Sequence, residues 1–416
     1  MQIAMEYRKS RPVHKIQRYL ALFAIACVLA LSGCAQAPAS SSADAKSGSA
    51  SESAAWNPSK GELIRLDEDG YLYYLDYVKD YYSDEILQEL DDLGKTKPGC
   101  SAFFTHTLEG DPLTCRNFDV PHRVSAEDHA LTGLNVVVHC AAPGKYESIA
   151  VGDAVYCGDN NPLLTRGGPD TEGFSVDMVD TIPHQCMDGM NEKGLAVSVL
   201  VVDIKEGDEP ARMVAGSSIL LRQLIDNCAD VGEAVAYVNT SDLKPADWQS
   251  CHLFVTDAAG NSVVIESRNG EVSVVNTDVV TNFYVGSDDI SDSYRNGKLR
   301  EEAVKLTDEN GESRYRFGYG HGYHRFATLA SQLEMHRDTT SEAYRTRMSE
   351  AEALVMLQSV AQNERTEAAG TSFTQFSCMY RNAARTLEVW SFQQWQKSYA
   401  FDVHGERVQN ERGASS

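Results

Sequence analysis

The sequence is poor in basic side chains. Its 416 residues include 37 lysines and arginines against 60 aspartates and glutamates, which gives a formal net charge of −23. The backbone of a nucleic acid is also anionic and is bound through clusters of Lys and Arg. We therefore exclude nucleic acid as a partner and attribute the acidity to a solvated surface that keeps the protein soluble.

Other features are also missing. No C-x-x-C pair occurs among the ten cysteines, so the cysteines do not predict a zinc site. We find no internal repeat and no second transmembrane segment. With 42% hydrophobic residues, the chain can bury a sizeable core, either in one catalytic domain of roughly 300 residues or in two domains of ordinary size.

The first 33 residues have the layout of an export signal. Five basic residues precede the apolar run Tyr19–Leu31, which is too short to favour a membrane span. The run ends in Leu31-Ser32-Gly33-Cys34, which resembles a bacterial lipobox; the alternative is an ordinary signal anchor. We predict a signal peptide over residues 1–33, lipidation of Cys34 and a Ser/Ala-rich tether over residues 34–55. The protein is then expected to be exported and anchored by lipid on the extracytoplasmic face of a bacterial cell membrane.

Export permits disulfide bonds. Apart from Cys27, Cys34 and Cys100, seven cysteines remain, so at least one of them is unpaired. The spacing predicts no connectivity.

The rest of the chain is predicted to divide at Cys100. Tyr74–Leu93 carries apolar residues at helical spacing with acidic residues between them, so we predict an amphipathic helix within a pro-segment at 56–99. The segment just before Cys100 contains proline and glycine and is predicted to be an exposed loop. From Cys100 onward, short strands with tight turns alternate with helical blocks, which predicts an α+β layered catalytic domain over residues 100–416.

The bond between Gly99 and Cys100 is the centre of the predicted chemistry. A thiol becomes a strong nucleophile when a base removes its proton. Cleavage after Gly99 would make Cys100 the first residue of the catalytic chain, and its free α-amine, with a pKa of about 7.7 to 8, would supply that base. A hairpin would bring Arg116 and Asp119 close to Cys100, where a guanidinium favours the thiolate and a carboxylate orients the ammonium group.

Motifs in a fixed order along the chain resemble the N-terminal-nucleophile (Ntn) hydrolases of the choloylglycine hydrolase type. These enzymes cleave linear amide C–N bonds and include bile salt hydrolases and penicillin V acylases. The similar segments are Gly99-Cys100, Arg116-Asn117-Phe118-Asp119, Asp188–Leu195, Cys251–Ser267, Thr281-Asn282, His324-Arg325-Phe326 and Ser377–Tyr380.

The resemblance implies a four-layer αββα sandwich of two antiparallel sheets and self-cleavage after Gly99. The implied reaction is hydrolysis of an N-acyl amino acid or a similar N-acyl amide, with conjugated bile salts among the candidate substrates, through a thioester on Cys100. It implies that Arg116 and Arg325 shape the electrostatics, that Asp119 holds the amine and that Asn282 donates to the oxyanion. No metal and no organic cofactor is expected.

Val201 departs from the family pattern. The family has a second active-site asparagine at this position, whereas this chain has the apolar stretch Val199–Val202. Either a backbone N–H replaces the missing donor or the oxyanion hole is rebuilt.

Three further questions stay open. One alternative is that an amine rather than water accepts the acyl group, which would make the protein an acyltransferase. Alternatively, the chain is a lipid-anchored binding protein that kept the fold and lost activity. The 35–99 fragment is either discarded or retained after cleavage, as it is in ceramidase-like relatives.

The cleavage hypothesis predicts a defined large fragment in the active protein. Intact mass measurement of the purified protein should show a chain that begins with Cys100. An active preparation in which the peptide bond between Gly99 and Cys100 is unbroken would contradict the hypothesis.

Overall fold

Two stacked β-sheets with helices on their outer faces make up the described part of the chain. The computed structural model describes residues 56–90, 99–120, 134–157, 163–164, 168–202, 215–243, 248, 251–268, 270–286, 322–341, 344–362 and 373–408. The predicted signal peptide 1–33, the tether 34–55 and Cys34 lie outside these residues.

The first sheet has nine strands in the order β1-β2-β5-β6-β7-β8-β9-β10-β11. Their bounds are β1 Leu63–Arg65, β2 Leu72–Tyr77, β5 Asn135–Cys140, β6 Ser148–Asp153, β7 Cys186–Asn191, β8 Ala196–Val201, β9 Cys251–Thr256, β10 Ser262–Arg268 and β11 Glu271–Asn276. Every neighbouring pair is antiparallel except β2 and β5, which are parallel. The sheet is therefore mixed, and the expectation of two purely antiparallel sheets was wrong on this point.

The second sheet has six strands in the order β12-β3-β4-β13-β14-β15. Their bounds are β3 Gly99–His106, β4 Pro112–Val120, β12 Val279–Val280, β13 Phe373–Arg381, β14 Thr386–Ser391 and β15 Tyr399–Asp402. All pairs in this sheet are antiparallel. Strands β3 and β4 form the predicted hairpin, with a turn at Gly110 whose φ of 101° suits glycine.

Five α-helices accompany the sheets: α1 Asp84–Gln88, α2 Ala215–Asn227, α3 Val231–Thr240, α4 Gly322–Met335 and α5 Glu350–Val360. Helix α2 packs against β7, β8 and β9 of the first sheet, whereas α4 contacts β3 and α5 contacts β4 of the second. Strand β3 in turn contacts β8 across the space between the sheets. The order of layers is helix, sheet, sheet, helix, which confirms the predicted α+β sandwich. In the described part of the chain, no helix combines the length and apolar character needed to cross a membrane.

Alternation along β3 decides which side chains lie between the sheets. Successive side chains of a strand point to opposite faces. Cys100 and Phe104 belong to the core cluster that joins both sheets, whereas Phe103 belongs to a separate cluster with residues of α4 and α5 such as Leu329 and Leu357. The side chain of Cys100 is therefore directed toward the interior between the sheets.

The predicted helix over Tyr74–Leu93 was wrong. The first part of this segment is the end of β2, the five-residue helix α1 follows, and residues 91–93 lie outside the described residues. All six residues of β2 are buried, and a short run buried on both faces does not show the period of a strand. Tertiary packing decides the outcome: the ring of Tyr74 stacks on Phe401 at 5.2 Å between centroids.

The segment upstream of Cys100 is integrated into the first sheet. Strand β2 pairs with β5 over six residues, and the indole N–H of Trp56 donates to the carbonyl of Gly405 at 3.0 Å. The hydroxyl of Tyr82 donates to the carboxylate of Asp226 on α2 at 2.9 Å. These contacts are noncovalent and do not depend on the bond between residues 99 and 100.

We therefore expect a chain cut after Gly99 to retain its upstream fragment. The two pieces should co-elute in size-exclusion chromatography under native conditions and separate in denaturant. Leu75→Asp, which places a charge at a position only 2% exposed, should release the fragment, whereas Val78→Asp at a position 57% exposed should not. Elution of the wild-type large fragment alone would contradict this expectation.

Candidate active site

Cys100 lies near the start of β3, directly opposite Phe118 in β4. It is only 1% exposed. The eight cysteines of the described residues are thiols and not disulfides. Arg116, Asp119 and Arg325 are the charged side chains that act on the thiol of Cys100.

Arg116 is the cation nearest the thiol. Its Nη2 donates to Cys100 Sγ at 3.4 Å and to the carbonyl of Val199 at 2.8 Å. Its Nη1 forms an ion pair with Asp188, and both side chains are fully buried. The guanidinium also lies 4.8 Å from the ring centroid of Phe118, so a desolvated cation–π contact adds to its placement.

The electrostatic influences on the thiol oppose one another. Burial raises the pKa of the Cys100 thiol, and the positive charge of Arg116 lowers it. The negative charge of Asp119 raises this pKa, whereas the backbone N–H of Asp119 and the charge of Arg325 lower it. Burial prevails, so the pKa stays above its ordinary value and the thiol in the uncut chain keeps its proton at neutral pH.

Arg325 connects three parts of the site. Its Nη1 donates to the carbonyl oxygen of Cys100 at 2.7 Å and to Asp119 Oδ2 at 3.1 Å. Its Nη2 donates to Asn282 Oδ1 at 2.6 Å. The side chain is 3% exposed, and it comes from the first turn of α4. The planar guanidinium is suited to holding three acceptors at once.

Asp119 is fully buried and is held from two sides. In addition to Arg325, the hydroxyl of Thr374 in β13 donates to Asp119 Oδ1 at 2.5 Å. Burial raises the pKa of Asp119 to about 6, although Arg325, Thr374 and Arg116 each lower it. The carboxylate thus needs Arg325 to remain charged near neutral pH.

Asn282 contacts the backbone nitrogen that would become the α-amine. The N–H of Cys100 donates to Asn282 Oδ1 at 2.8 Å, and Asn282 Nδ2 donates to the carbonyl of Val201 at 2.7 Å. Strands β7 and β8 pair only from Ala196 to Ser198 on the β8 side. Past Ser198, β8 no longer pairs with β7, and the carbonyls of Val199 and Val201 accept from Arg116 and Asn282.

Val201 therefore contributes through its backbone. Its carbonyl orients the Asn282 amide and fixes which end of that amide faces Cys100. The two replacements considered from the sequence, a backbone N–H donor and a rebuilt oxyanion hole, stay predictions.

The structure thus brings all five predicted site residues together: Cys100, Arg116, Asp119, Asn282 and Arg325. Their catalytic roles stay predictions. Sequence reasoning missed Asp188 and Thr374 as buried partners of Arg116 and Asp119. Asp188 opens the motif that ends at Leu195, so a signal for it was present, whereas nothing in the sequence marks Thr374.

Among the described residues, no group of three or more His, Cys, Asp or Glu side chains is arranged to hold a metal ion.

A comparison with protein families gives one match. Residues 151–388, more than half of the chain, match the family model of acyl-coenzyme A:6-aminopenicillanic acid acyl-transferase. The chain belongs to this family. The family is choloylglycine hydrolase-like, so the resemblance found in the motifs is confirmed. The matched region includes Asn282 and Arg325 but begins after Cys100, so the family match by itself does not assign the nucleophile.

Solved structures also match this chain, at low sequence identity. A mutant conjugated bile acid hydrolase from Clostridium perfringens matches with 14% identity over 75% of this chain and 97% of that chain, at a TM-score of 0.47. Penicillin V acylase from Agrobacterium tumefaciens matches with 16% identity over 70% of this chain and 83% of that chain, at a TM-score of 0.40. No curated protein matches the sequence.

The buried pair between Arg325 and Asp119 should be essential to stability. Arg325→Met leaves Asp119 buried without its counter-charge, and we expect the free energy of unfolding in urea to fall by about 3 to 5 kcal/mol. The double variant Arg325→Met/Asp119→Asn should recover part of that loss because a neutral amide needs no counter-charge.

The matched control is Lys79→Met, which removes ion pairs to Asp177 and Asp180 from a lysine side chain that is 44% exposed. It should change the free energy of unfolding by less than about 1 kcal/mol. A double variant as unstable as the sum of its two single variants would contradict the buried-charge explanation.

Proposed function

We propose that the protein hydrolyses a linear amide C–N bond with Cys100 as an N-terminal nucleophile, after the chain is cut behind Gly99. The substrate class is an N-acyl amino acid or a similar N-acyl amide, and conjugated bile salts are candidate members of that class. The proposal is carried by one observation: Arg116, Arg325, Asn282 and Asp119 surround the buried Cys100 near the start of β3.

The raised pKa of the Cys100 thiol supports the need for a base at the moment of attack. Arg116 alone does not overcome the effect of burial, and the described contacts of Cys100 include no histidine. Cleavage after Gly99 would convert the Cys100 amide nitrogen into an amine with a pKa of about 7.7 to 8, which can accept the thiol proton.

The proposed reaction has two steps. Cys100 Sγ attacks the amide carbonyl while its proton passes to the α-amine; the C–N bond then breaks, and the amine passes that proton to the leaving nitrogen. A thioester remains on Cys100. Water then attacks the thioester, loses a proton to the same amine and releases the carboxylic acid, while the thiol is restored.

The surrounding residues have distinct proposed roles. Arg116 favours the developing thiolate, and Asn282 Oδ1 orients the amine through the contact it already makes with the Cys100 nitrogen. Asn282 Nδ2, which donates to the carbonyl of Val201 in the uncut chain, is the donor that we propose for the oxyanion. Asp119 acts with Arg325, which holds the Cys100 carbonyl.

Acyl transfer is the second candidate function. The family model that matches residues 151–388 is named for an acyl-transferase. Transfer and hydrolysis share the thioester and differ only in whether an amine or water attacks it.

We also propose the cellular setting predicted from the sequence. Lipid on Cys34 would anchor the protein at the extracytoplasmic face of a bacterial membrane, and the 35–99 fragment would stay bound after cleavage. The paired strand β2 supports that retention.

Replacement of the nucleophile tests the proposed function. Cys100→Ala should abolish both chain cleavage and amide hydrolysis, measured by gel and by release of free amine from a panel of N-acyl amino acids and conjugated bile salts. Cys115→Ala is the matched control, because Cys115 is an equally buried cysteine of the neighbouring strand and its side chain belongs to the outer core cluster. A Cys100→Ala protein that still turns over substrate would refute the proposal.

Added amines separate the two candidate functions. With an amino acid in excess, a hydrolase should still release free acid as its main product, whereas an acyltransferase should form the new amide. Mass spectrometry of the products distinguishes these outcomes.

A further inference from the structure

The segment that carries Asn282 is not part of a regular strand. Strand β12 ends at Val280, and Thr281 to Gly286 follow it across the edge of the second sheet. A side chain on an irregular segment is held in place only if its backbone is fixed by other contacts. Side chains from the first sheet hold the backbone on both sides of Asn282.

His252 in β9 and Glu266 in β10 are directly opposite one another. Their side chains are 0% and 2% exposed, and His252 Nδ1 lies 3.1 Å from Glu266 Oε1. The other ring nitrogen, Nε2, donates to the carbonyl of Thr281 at 2.7 Å. The two ring nitrogens thus face a carboxylate on one side and a backbone carbonyl on the other.

Glu266 holds the far end of the same segment. Its Oε1 accepts from the N–H of Val285 at 2.6 Å, and its Oε2 accepts from the N–H of Gly286 at 3.1 Å. Burial raises the pKa of Glu266, but His252 and these two N–H groups together lower it below its ordinary value. One buried pair therefore fixes the backbone on both sides of Asn282.

The segment in turn positions the start of α4. The hydroxyl of Thr281 donates to the carbonyl of Gly322 at 2.8 Å. A Cβ at Gly322 would lie only 3.1 Å from the nitrogen of Asn282, so the helix and the segment are in close contact. Arg325 follows in the first turn of this helix, which places its Nη2 next to Asn282 Oδ1.

We infer that His252 and Glu266 are positioning residues that hold Asn282 against the Cys100 nitrogen and the Arg325 guanidinium. Neither side chain contacts Cys100 itself in the described structure. The inference rests on the proposed function for its kinetic consequence, but the geometry can be tested without it.

The kinetic test is Glu266→Gln. The amide group of Gln places an NH₂ where the carboxylate accepted hydrogen bonds, so one backbone N–H loses its acceptor and the segment shifts. A misplacement near 1 Å costs about 100-fold in rate, so we expect kcat to fall about 100-fold with KM within about twofold of wild type. Unchanged kcat in a folded, cleaved Glu266→Gln protein would overturn the inference.

The matched control is Asp257→Asn at the other end of the same hairpin. Asp257 is 1% exposed and also accepts from backbone N–H groups, those of Val231, Ala259 and Asn261. Asp257→Asn should lower thermal stability as much as Glu266→Gln and leave kcat within about twofold of wild type. An equal loss of kcat in both variants would reduce the role of Glu266 to general stability and overturn the inference.

A double-mutant cycle checks that Glu266 acts through Asn282. Glu266→Gln added to Asn282→Ala should cause no further loss of kcat, because the residue being positioned is already absent. Full additivity of the two effects would overturn the inference. Inactive wild-type protein, in contrast, would refute the proposed function.

The crystal structure of the Glu266→Gln protein decides the geometric claim whether or not the enzyme turns over. We expect Asn282 Oδ1 to move away from the Cys100 nitrogen by at least about 1 Å; an unchanged contact would overturn the inference. If Glu266→Gln does not fold, Glu266→Asp, which keeps the charge but shortens the side chain, replaces it in each measurement.

Discussion

The buried guanidinium of Arg325 is the interaction on which the rest of the site depends. It holds the Cys100 carbonyl, the Asp119 carboxylate and the Asn282 amide at the same time. A charge in this interior is tolerated only when it is paired and its hydrogen bonds are made. That constraint determines where the start of α4, the end of β4 and the Asn282 segment can lie relative to β3.

Arg116 is a second buried cation, and its counter-charge and a hydrogen-bond acceptor come from the first sheet. Asp188 neutralises it, and the carbonyl of Val199 accepts from its Nη2 where β8 no longer pairs with β7. Because pairing with β7 ends at Ser198, the carbonyl of Val199 can accept from Arg116. In a fully paired β8 the carbonyls would be bonded within the sheet. The same interruption allows the carbonyl of Val201 to orient Asn282.

Arg116 and Asp119 were predicted from sequence as close neighbours of Cys100, and the hairpin register places them there. Their partners were not predicted. Arg116 pairs with Asp188 from the other sheet, and Asp119 pairs with Arg325 and Thr374, which follow it by more than 200 residues along the chain. Contacts of such separation leave no periodic pattern in a sequence. The structure also places His252 and Glu266 against the backbone on either side of Asn282. The alternation of polar and apolar residues in β9 and β10 does not predict that contact.

The sequence alone determined the strand and helix alternation after Cys100 and the β3–β4 hairpin, because these follow from short-range periodicity. The resemblance of its motifs to a known family pointed to the five residues that meet at the site. Sequence reasoning misassigned Tyr74–Leu93, since a short tyrosine-rich run has the same local pattern in a buried strand as in a helix. Only the tertiary structure decided that this segment enters the first sheet and which partners neutralise each buried charge. Those outcomes depend on desolvation and on which groups meet between the two sheets, and neither is a property of any local stretch of the chain.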